Sequence, residues 1–185
     1  LLDDNSPDKT GEIIKDLYPS INVIYGDGKH FWCGGTRKLW EFAATKKNYN
    51  YYVWLNDDSI LFKNSFSVIY NDLKNKNSSI IVGTFISSNK NLNEITYGGR
   101  NKNLKLIKPS GQPQECSLIN GNFVFIPREV FINIGFLSKM FTHNYGDIDY
   151  GLRAIKKKIK KFIDSEFIGI CNQNEPEEWR KPNTR

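Results

Sequence analysis

The sequence predicts an α/β fold: a mostly parallel central sheet flanked by helices, with a small antiparallel addition in its second half. Two observations predict it. In the first half of the chain, short apolar runs alternate with helically spaced segments, the order that builds parallel sheets. The run Tyr51-Tyr52-Val53-Trp54-Leu55 is also apolar throughout, the pattern of a strand buried on both faces.

Taken in order, Leu1 and Leu2 read as the end of a strand, so the chain is expected to begin partway into the fold. Ser6-Pro7-Asp8 offers a capping hydroxyl and a first-turn proline, opening a helix through Ile13, Ile14 and Leu17. A short strand over 21–25 closes at Gly26-Asp27-Gly28. After Gly34-Gly35, a helix carrying Leu39, Phe42 and Ala43 leads to Lys47. Phe66, Ile69, Tyr70 and Leu73 at helical spacing predict a helix over Ser65–Lys74, and 80–86 reads as another buried strand.

The second half differs. Residues 94–107 are polar and glycine-containing, as in a hairpin or irregular excursion. A strand over 118–126 precedes Pro127-Arg128-Glu129, which opens a short helix. Residues 147–158 are expected as a helix with Ile148, Leu152, Ile155 and Ile159 as one apolar stripe. Residues 161–170 supply a last strand, and the tail is polar. With no internal repeat or low-complexity linker, one domain over 1–185 is expected.

Composition narrows the function classes. Of 185 residues, 39% are apolar and 25% charged, an ordinary balance for a soluble globular chain. No run approaches the roughly 18 apolar residues of a membrane span, and there is no basic-then-apolar leader. Cys33, Cys116 and Cys171 are far apart, so reduced buried thiols are expected rather than a disulfide framework or zinc ribbon. The net charge of +6 invites a nucleic-acid partner, but the lysines are dispersed among asparagines and isoleucines. The one dense run, 156–161, suits a solvated helix end, where cations complement the dipole. An anionic membrane surface is the other reading of that run.

Two acidic pairs stand where chemistry is expected. Asp3-Asp4 follows the first strand and Asp57-Asp58 follows Tyr51–Leu55, and ligands of open α/β sheets bind at the carboxyl ends of strands. Adjacent carboxylates repel unless a cation or donors sit beside them. The plainer alternative is that they cap helices or satisfy turn amides. Asp147 and Asp149 form a third acidic site, but two helical residues so spaced diverge by about 200°. Arg153 explains Asp149 as an ion pair, while Asp147 reads either as a cap or as a site residue.

At these positions the sequence resembles the family 2 glycosyltransferases of the GT-A type, with rhamnosyltransferase-like members nearest. The resemblance is carried by Leu2-Asp3-Asp4-Asn5-Ser6-Pro7-Asp8-Lys9-Thr10 and Trp54-Leu55-Asn56-Asp57-Asp58-Ser59. It continues in Asn120-Gly121-Asn122-Phe123-Val124-Phe125-Ile126-Pro127 and Tyr145-Gly146-Asp147-Ile148-Asp149-Tyr150-Gly151-Leu152-Arg153-Ala154. It implies a Rossmann-like GT-A sheet whose first family strand is missing here. Residues 1–90 would be the nucleotide-sugar half and 91–185 the acceptor half.

The resemblance also implies roles. Asp3 and, better, Asp4 would hold the nucleotide base, with Gly34, Gly35 and Arg37 passing along the nucleotide. Asn56-Asp57-Asp58 matches the DxD-type motif with its first acid replaced: Asp58 as ligand of a divalent metal (Mn2+ or Mg2+), Asp57 as a ribose contact. Asp147 matches the catalytic base, giving inversion at the anomeric carbon; Asp149 is placed on the acceptor side, and His143, just before the acidic segment, reads either as an acceptor contact or as an ordinary loop histidine. Phe31 and Trp32, read as loop residues, are open to stacking on base or sugar, and Trp179 in the tail either closes over a ligand or simply docks the terminus. Gly146 stands where many members carry glutamate, and the only histidines are His30 and His143.

The implied partners are a nucleotide-sugar donor and a glycan or lipid-linked glycan acceptor, in surface-glycan synthesis. The implied location is the cytoplasm, with peripheral contact at the inner face of the membrane. A nucleotidyltransferase would want a basic or glycine-rich loop that the sequence lacks. A nucleic-acid binder would want aromatic and basic residues interleaved on one strand. A catalytically degenerate nucleotide- or sugar-binding module is the remaining alternative.

Overall fold

A computed structural model describes residues 1–74, 76, 78–88 and 94–173. Trp179 lies outside the described residues. Two parallel strands, β1 (Leu2–Asp3) and β2 (Ile24–Tyr25), make a small sheet of their own. Between them runs α1 (Thr10–Leu17). This helix starts later than Ser6-Pro7-Asp8 predicts, because the Asp3 carboxylate gathers the Ser6 and Gly11 N–H groups and shapes the intervening turn. Lys9, at φ 59°, stands at the N-cap with no side-chain cap of its own, and Asp8 just before it accepts the Thr10 N–H at 3.1 Å.

The central sheet follows. After α2 (Phe31–Lys46) come β3 (Tyr51–Leu55), β4 (Ile60–Leu61), α3 (Ser65–Lys74), β5 (Ile80–Val82) and β6 (Phe85–Ile86). The second half gives β7 (Ile95–Tyr97), β8 (Gln114–Glu115), β9 (Phe123–Pro127), α4 (Arg128–Ile134), α5 (Gly146–Lys156), β10 (Lys161–Ile163) and β11 (Gly169–Ile170). The five-stranded sheet has the order β3-β9-β5-β10-β8, and a four-stranded sheet the order β4-β11-β6-β7.

The sheet is mixed rather than mostly parallel. β3, β5 and β10 share one direction, as β-α-β crossovers require, but β9 inserts antiparallel between β3 and β5. The expected strand over 80–86 divides at Gly83-Thr84 and serves both larger sheets, and 161–170 divides likewise into β10 and β11.

Helices cover both faces. On one, Trp40 of α2, Val130 of α4 and Tyr150 and Ala154 of α5 pack on Tyr52, Trp54, Ile80, Val82, Val124 and Ile126. On the other, Val68, Ile69 and Leu73 of α3 meet Ile81, Phe123, Phe162 and Ile168. β3 lies at the sheet edge with Tyr52 and Trp54 inward and Tyr51, Val53 and Leu55 exposed, so it is not buried on both faces. A groove of about 510 Å³ separates it from Leu1 and Ile21, floored by Leu39, Trp40 and Ala43 of α2.

Three further expectations shift. Phe66 and Tyr70 of α3 are exposed. In α5, Leu152 and Ile155 are 46% and 50% exposed, while Tyr150, Gly151 and Ala154 are buried. The small residues let the helix sit close to Ile119, which is 3.3 Å from where a Gly151 Cβ would stand. Lys161 leaves the lysine run for the interior, where its ammonium donates to the Gly151 carbonyl at 3.3 Å. The three cysteines are free and buried. Among the described residues no helix is long and apolar enough to cross a membrane.

Candidate active site

The carboxyl end of β3 and the amino end of β9 meet at one sheet edge, since Leu55 pairs with Phe123. This register brings 56–58 against 120–122. The Asn56 N–H donates to the Asn122 carbonyl at 3.0 Å. The Gly121 N–H in turn donates to Asp147 Oδ2 at 2.9 Å, joining the start of α5 to the same edge. Asp147 Oδ1 accepts the Ile148 N–H at 2.8 Å. Two backbone donors thus hold the Asp147 carboxylate in place. Burial nevertheless raises its pKa above the ordinary carboxylate value, outweighing the opposite pull of the Ile148 and Gly121 bonds. Asp147 is a fixed, desolvated carboxylate, the form in which it is a stronger proton acceptor.

Trp32 sits where these segments meet. It belongs to the first turn of α2, not to a loop, and its indole N–H donates to Asn56 Oδ1 at 2.7 Å. A Cβ on Gly121 would overlap the Trp32 ring, and one on Gly146 would overlap Cys33 Sγ. Both glycines are therefore fixed by close approach, which accounts for Gly146 where a glutamate was the alternative. Gly121→Ala is expected to push the indole aside and break its bond to Asn56, costing about 1–3 kcal/mol. A urea midpoint lowered at unchanged slope checks it, and a parental midpoint refutes it.

The first acidic pair shapes the backbone around it. Asp3, 5% exposed, accepts from Ser6 at 2.7 Å and Gly11 at 2.8 Å. The Ser6 bonds, then that of Gly11, hold its carboxyl below the ordinary value. Asp4 accepts the N–H groups of Gly28 at 3.0 Å, His30 at 2.8 Å and Phe31 at 3.2 Å, and so anchors the entry to α2. Gly35 serves packing: its Cβ would stand 2.7 Å from the Leu2 side chain. Arg37 turns to the 138–141 loop and donates to the carbonyls of Ser138 at 2.8 Å and Phe141 at 3.2 Å. Asp149 is ion-paired with Arg153 at 2.8 Å, the local account of its charge. His143 lies beside Phe31, ring centres 5.6 Å apart, facing the start of α2.

Two places offer ligands for a divalent cation. Asp57 and Asp58 are consecutive, exposed and outside the ion pairs found among the described residues. Cys171 Sγ lies 3.6 Å from Asp58 Oδ1, so an oxygen and a sulfur donor converge there. This donor set fits a cation with open positions. Asp4, Asp27 and His30 also bring ligand atoms within 4.8 Å of one another. There the His30 Nε2 lone pair faces the Lys38 ammonium at 3.1 Å, and a second cation would compete with that ammonium.

The structure thus brings together 56–58, Asp147 and the start of α2, and places Asp3, Gly35, Arg37 and Asp149 in backbone anchoring, packing and pairing. Sequence reasoning assigned no role to Gly121 and Asn122, and read Cys171 as an ordinary buried thiol. The Asn-Gly-Asn turn before β9 was the available signal for the first two; nothing local marks Cys171.

Carboxylates gathered at the strand ends of an α/β fold mark the edge at which such folds bind their ligands. The Glycosyl transferase family 2 profile matches residues 1–135, and the chain belongs to that family. Its fold is similar to that of GalNAc-T7 solved with UDP, GalNAc and Mn2+, with TM-score 0.63 at 13% identity over 89% of this chain. S. aureus TarS (residues 1–349) gives TM-score 0.58 at 11% identity over 92% of the chain. A197 from STIV gives 0.54 at 14% identity over 89% of this chain and 86% of its own. The chain spans 36% of the GalNAc-T7 chain and 50% of the TarS chain. Curated protein sequences give no match. These likenesses establish the GT-A fold.

Proposed function

We propose that this chain is the catalytic region of an inverting glycosyltransferase, moving a sugar from a nucleotide-sugar to a hydroxyl of a glycan or lipid-linked glycan. The observation that carries this reading is the continuous strip from Asp147 through Gly121 and Asn122 to Asn56, with Asp57 and Asp58 following at the same sheet edge. A hydroxyl is a poor nucleophile, and Asp147 takes its proton as the bond to the anomeric carbon forms. A base opposite the leaving group gives direct displacement with inversion. A manganese or magnesium ion held by Asp58 would supply positive charge against the departing nucleoside diphosphate. Asp57 contacts the ribose, and Asp4 orders the entry to α2 beside the base.

Residues 1–90 hold the donor and 91–185 the acceptor, with His143 facing the acceptor. The product is a surface glycan, assembled on the cytoplasmic side of the membrane, where the lysines ending α5 meet anionic lipid. The similarity to a Mn2+-containing relative supports the metal.

The test is thermal stability with UDP, GDP, dTDP and CDP, with and without manganese. One nucleotide is expected to stabilise the chain only with metal, by about 2.7 kcal/mol at a hundredfold excess over Kd. Asp58→Asn should erase that metal-dependent shift. Metal-dependent stabilisation unchanged in Asp58→Asn would remove Asp58 from the site.

A further inference from the structure

We propose that Cys171 and Asp58 together form a two-donor seat for a borderline-soft divalent cation, so that the metal of this site is held by sulfur as well as oxygen. The inference rests on reading Asp58 as a metal ligand and extends it to a residue 113 positions away in the chain. Cys171 directly follows β11, which is hydrogen-bonded to β4 on one side and β6 on the other. Its own N–H donates to the Ile86 carbonyl at 3.1 Å. The thiol is thus fixed by two strands, one of which begins just after Asp58-Ser59. It is 1% exposed, whereas Asp58 opens to solvent.

The separation fits a shared ion. A carboxylate oxygen at about 2.1 Å and a thiolate sulfur at about 2.3 Å from one tetrahedral ion stand about 3.6 Å apart. Asp58 Oδ1 and Cys171 Sγ are 3.6 Å apart. Asn122 supports the sulfur from behind, its amide donating to Sγ at 3.3 Å, and so fixes where the sulfur stands. Asn122 is itself placed by the bond from its N–H to Asn120 Oδ1 at 3.1 Å and by Asn56 on its carbonyl. On binding, the cation replaces the thiol hydrogen, which leaves to solvent as a proton. Water or diphosphate oxygens fill the remaining positions on the open side. Thiolate ligation favours zinc, cobalt or cadmium over magnesium.

The experiment is a titration of the purified chain with cobalt(II) alone, read by absorption. The parent is expected to develop a near-ultraviolet thiolate-to-cobalt charge-transfer band. The band should vanish in Cys171→Ser and Cys171→Ala, and cobalt affinity should fall about tenfold or more in Asp58→Asn. A band that survives loss of Cys171 would assign it to Cys33 or Cys116 and overturn the proposal. Absence of the band, with manganese-dependent nucleotide stabilisation intact, would leave Asp58 as a ligand and exclude Cys171. Absence of both would remove the Asp58 reading and this one with it. Should the cysteine variants fail to fold, the cadmium-113 resonance of the parent decides: a sulfur-shifted position supports the proposal, and an all-oxygen position overturns it.

Discussion

Asp147→Asn is expected to lower transfer by about 100- to 10,000-fold, the range associated with a positioned proton acceptor. Nucleotide affinity should stay near the parental value, since in the proposed mechanism the base faces the acceptor rather than the donor. The asparagine oxygen can still accept the N–H of Gly121 or Ile148, so the loss is one hydrogen bond, about 1 kcal/mol. A second effect opposes even that loss. Burial raises the Asp147 pKa, so the folded chain binds the proton more tightly than the unfolded one. Ionisation of Asp147 therefore removes stability as pH rises from the ordinary carboxylate value through the folded one, and at neutral pH asparagine avoids that loss. The same shift sets the activity profile. kcat/KM should rise with pH through a pKa above the ordinary carboxylate range, and that limb should be absent from residual activity of the variant. Transfer near the parental rate would eliminate Asp147 as base. Loss of the folded circular dichroism spectrum would assign it instead to capping α5.

Trp40→Ala should destabilise the fold by about 3–5 kcal/mol, a large share of the 5–15 kcal/mol that holds a domain together. The indole lies at the centre of an aromatic cluster. Its ring centre is 5.2 Å from Phe131 and 5.6 Å from Tyr52, Trp54, Phe136 and Tyr150. Removing it uncouples α2 from β3, α4 and α5 at once. Trp40→Phe should cost clearly less, because it retains a ring and removes an indole N–H that is buried with no acceptor among the described residues. Urea unfolding distinguishes the two. Equal midpoints for both variants would mean that the cluster has repacked.

What could be read in advance divides along physical lines. The positions of β3 and α3 fall where expected, because each is an apolar-rich run bounded by polar turn residues, whereas the faces they bury were not legible: Val53 and Leu55 of β3 and Phe66 and Tyr70 of α3 are exposed. The α5 stripe misled because it follows the aliphatic side chains, whereas the face that packs is made of Tyr150, Gly151 and Ala154, a ring flanked by two small residues. The direction of β9 was hidden for another reason: a run of apolar residues does not say which neighbour it will pair with. The candidate site follows the same division. Asp57, Asp58 and Asp147 were visible as acids at element boundaries. Their connections were not, since Gly121 meets Asp147 across 26 residues, Trp32 meets Asn56 across 24, and Cys171 meets Asp58 across 113. Such contacts depend on strand order, which local spacing leaves undetermined.

The position of Trp32 gives the molecule an optical property. Its indole is hydrogen-bonded to Asn56, packs edge-on to Trp54 at 6.0 Å, and Trp54 meets Trp40 at 5.6 Å. Three chromophores thus form a relay from the candidate site into the interior, close enough to exchange excitation. Whatever settles beside Asn56 perturbs the outermost member, and the emission of the buried pair carries that event outward as an intrinsic signal.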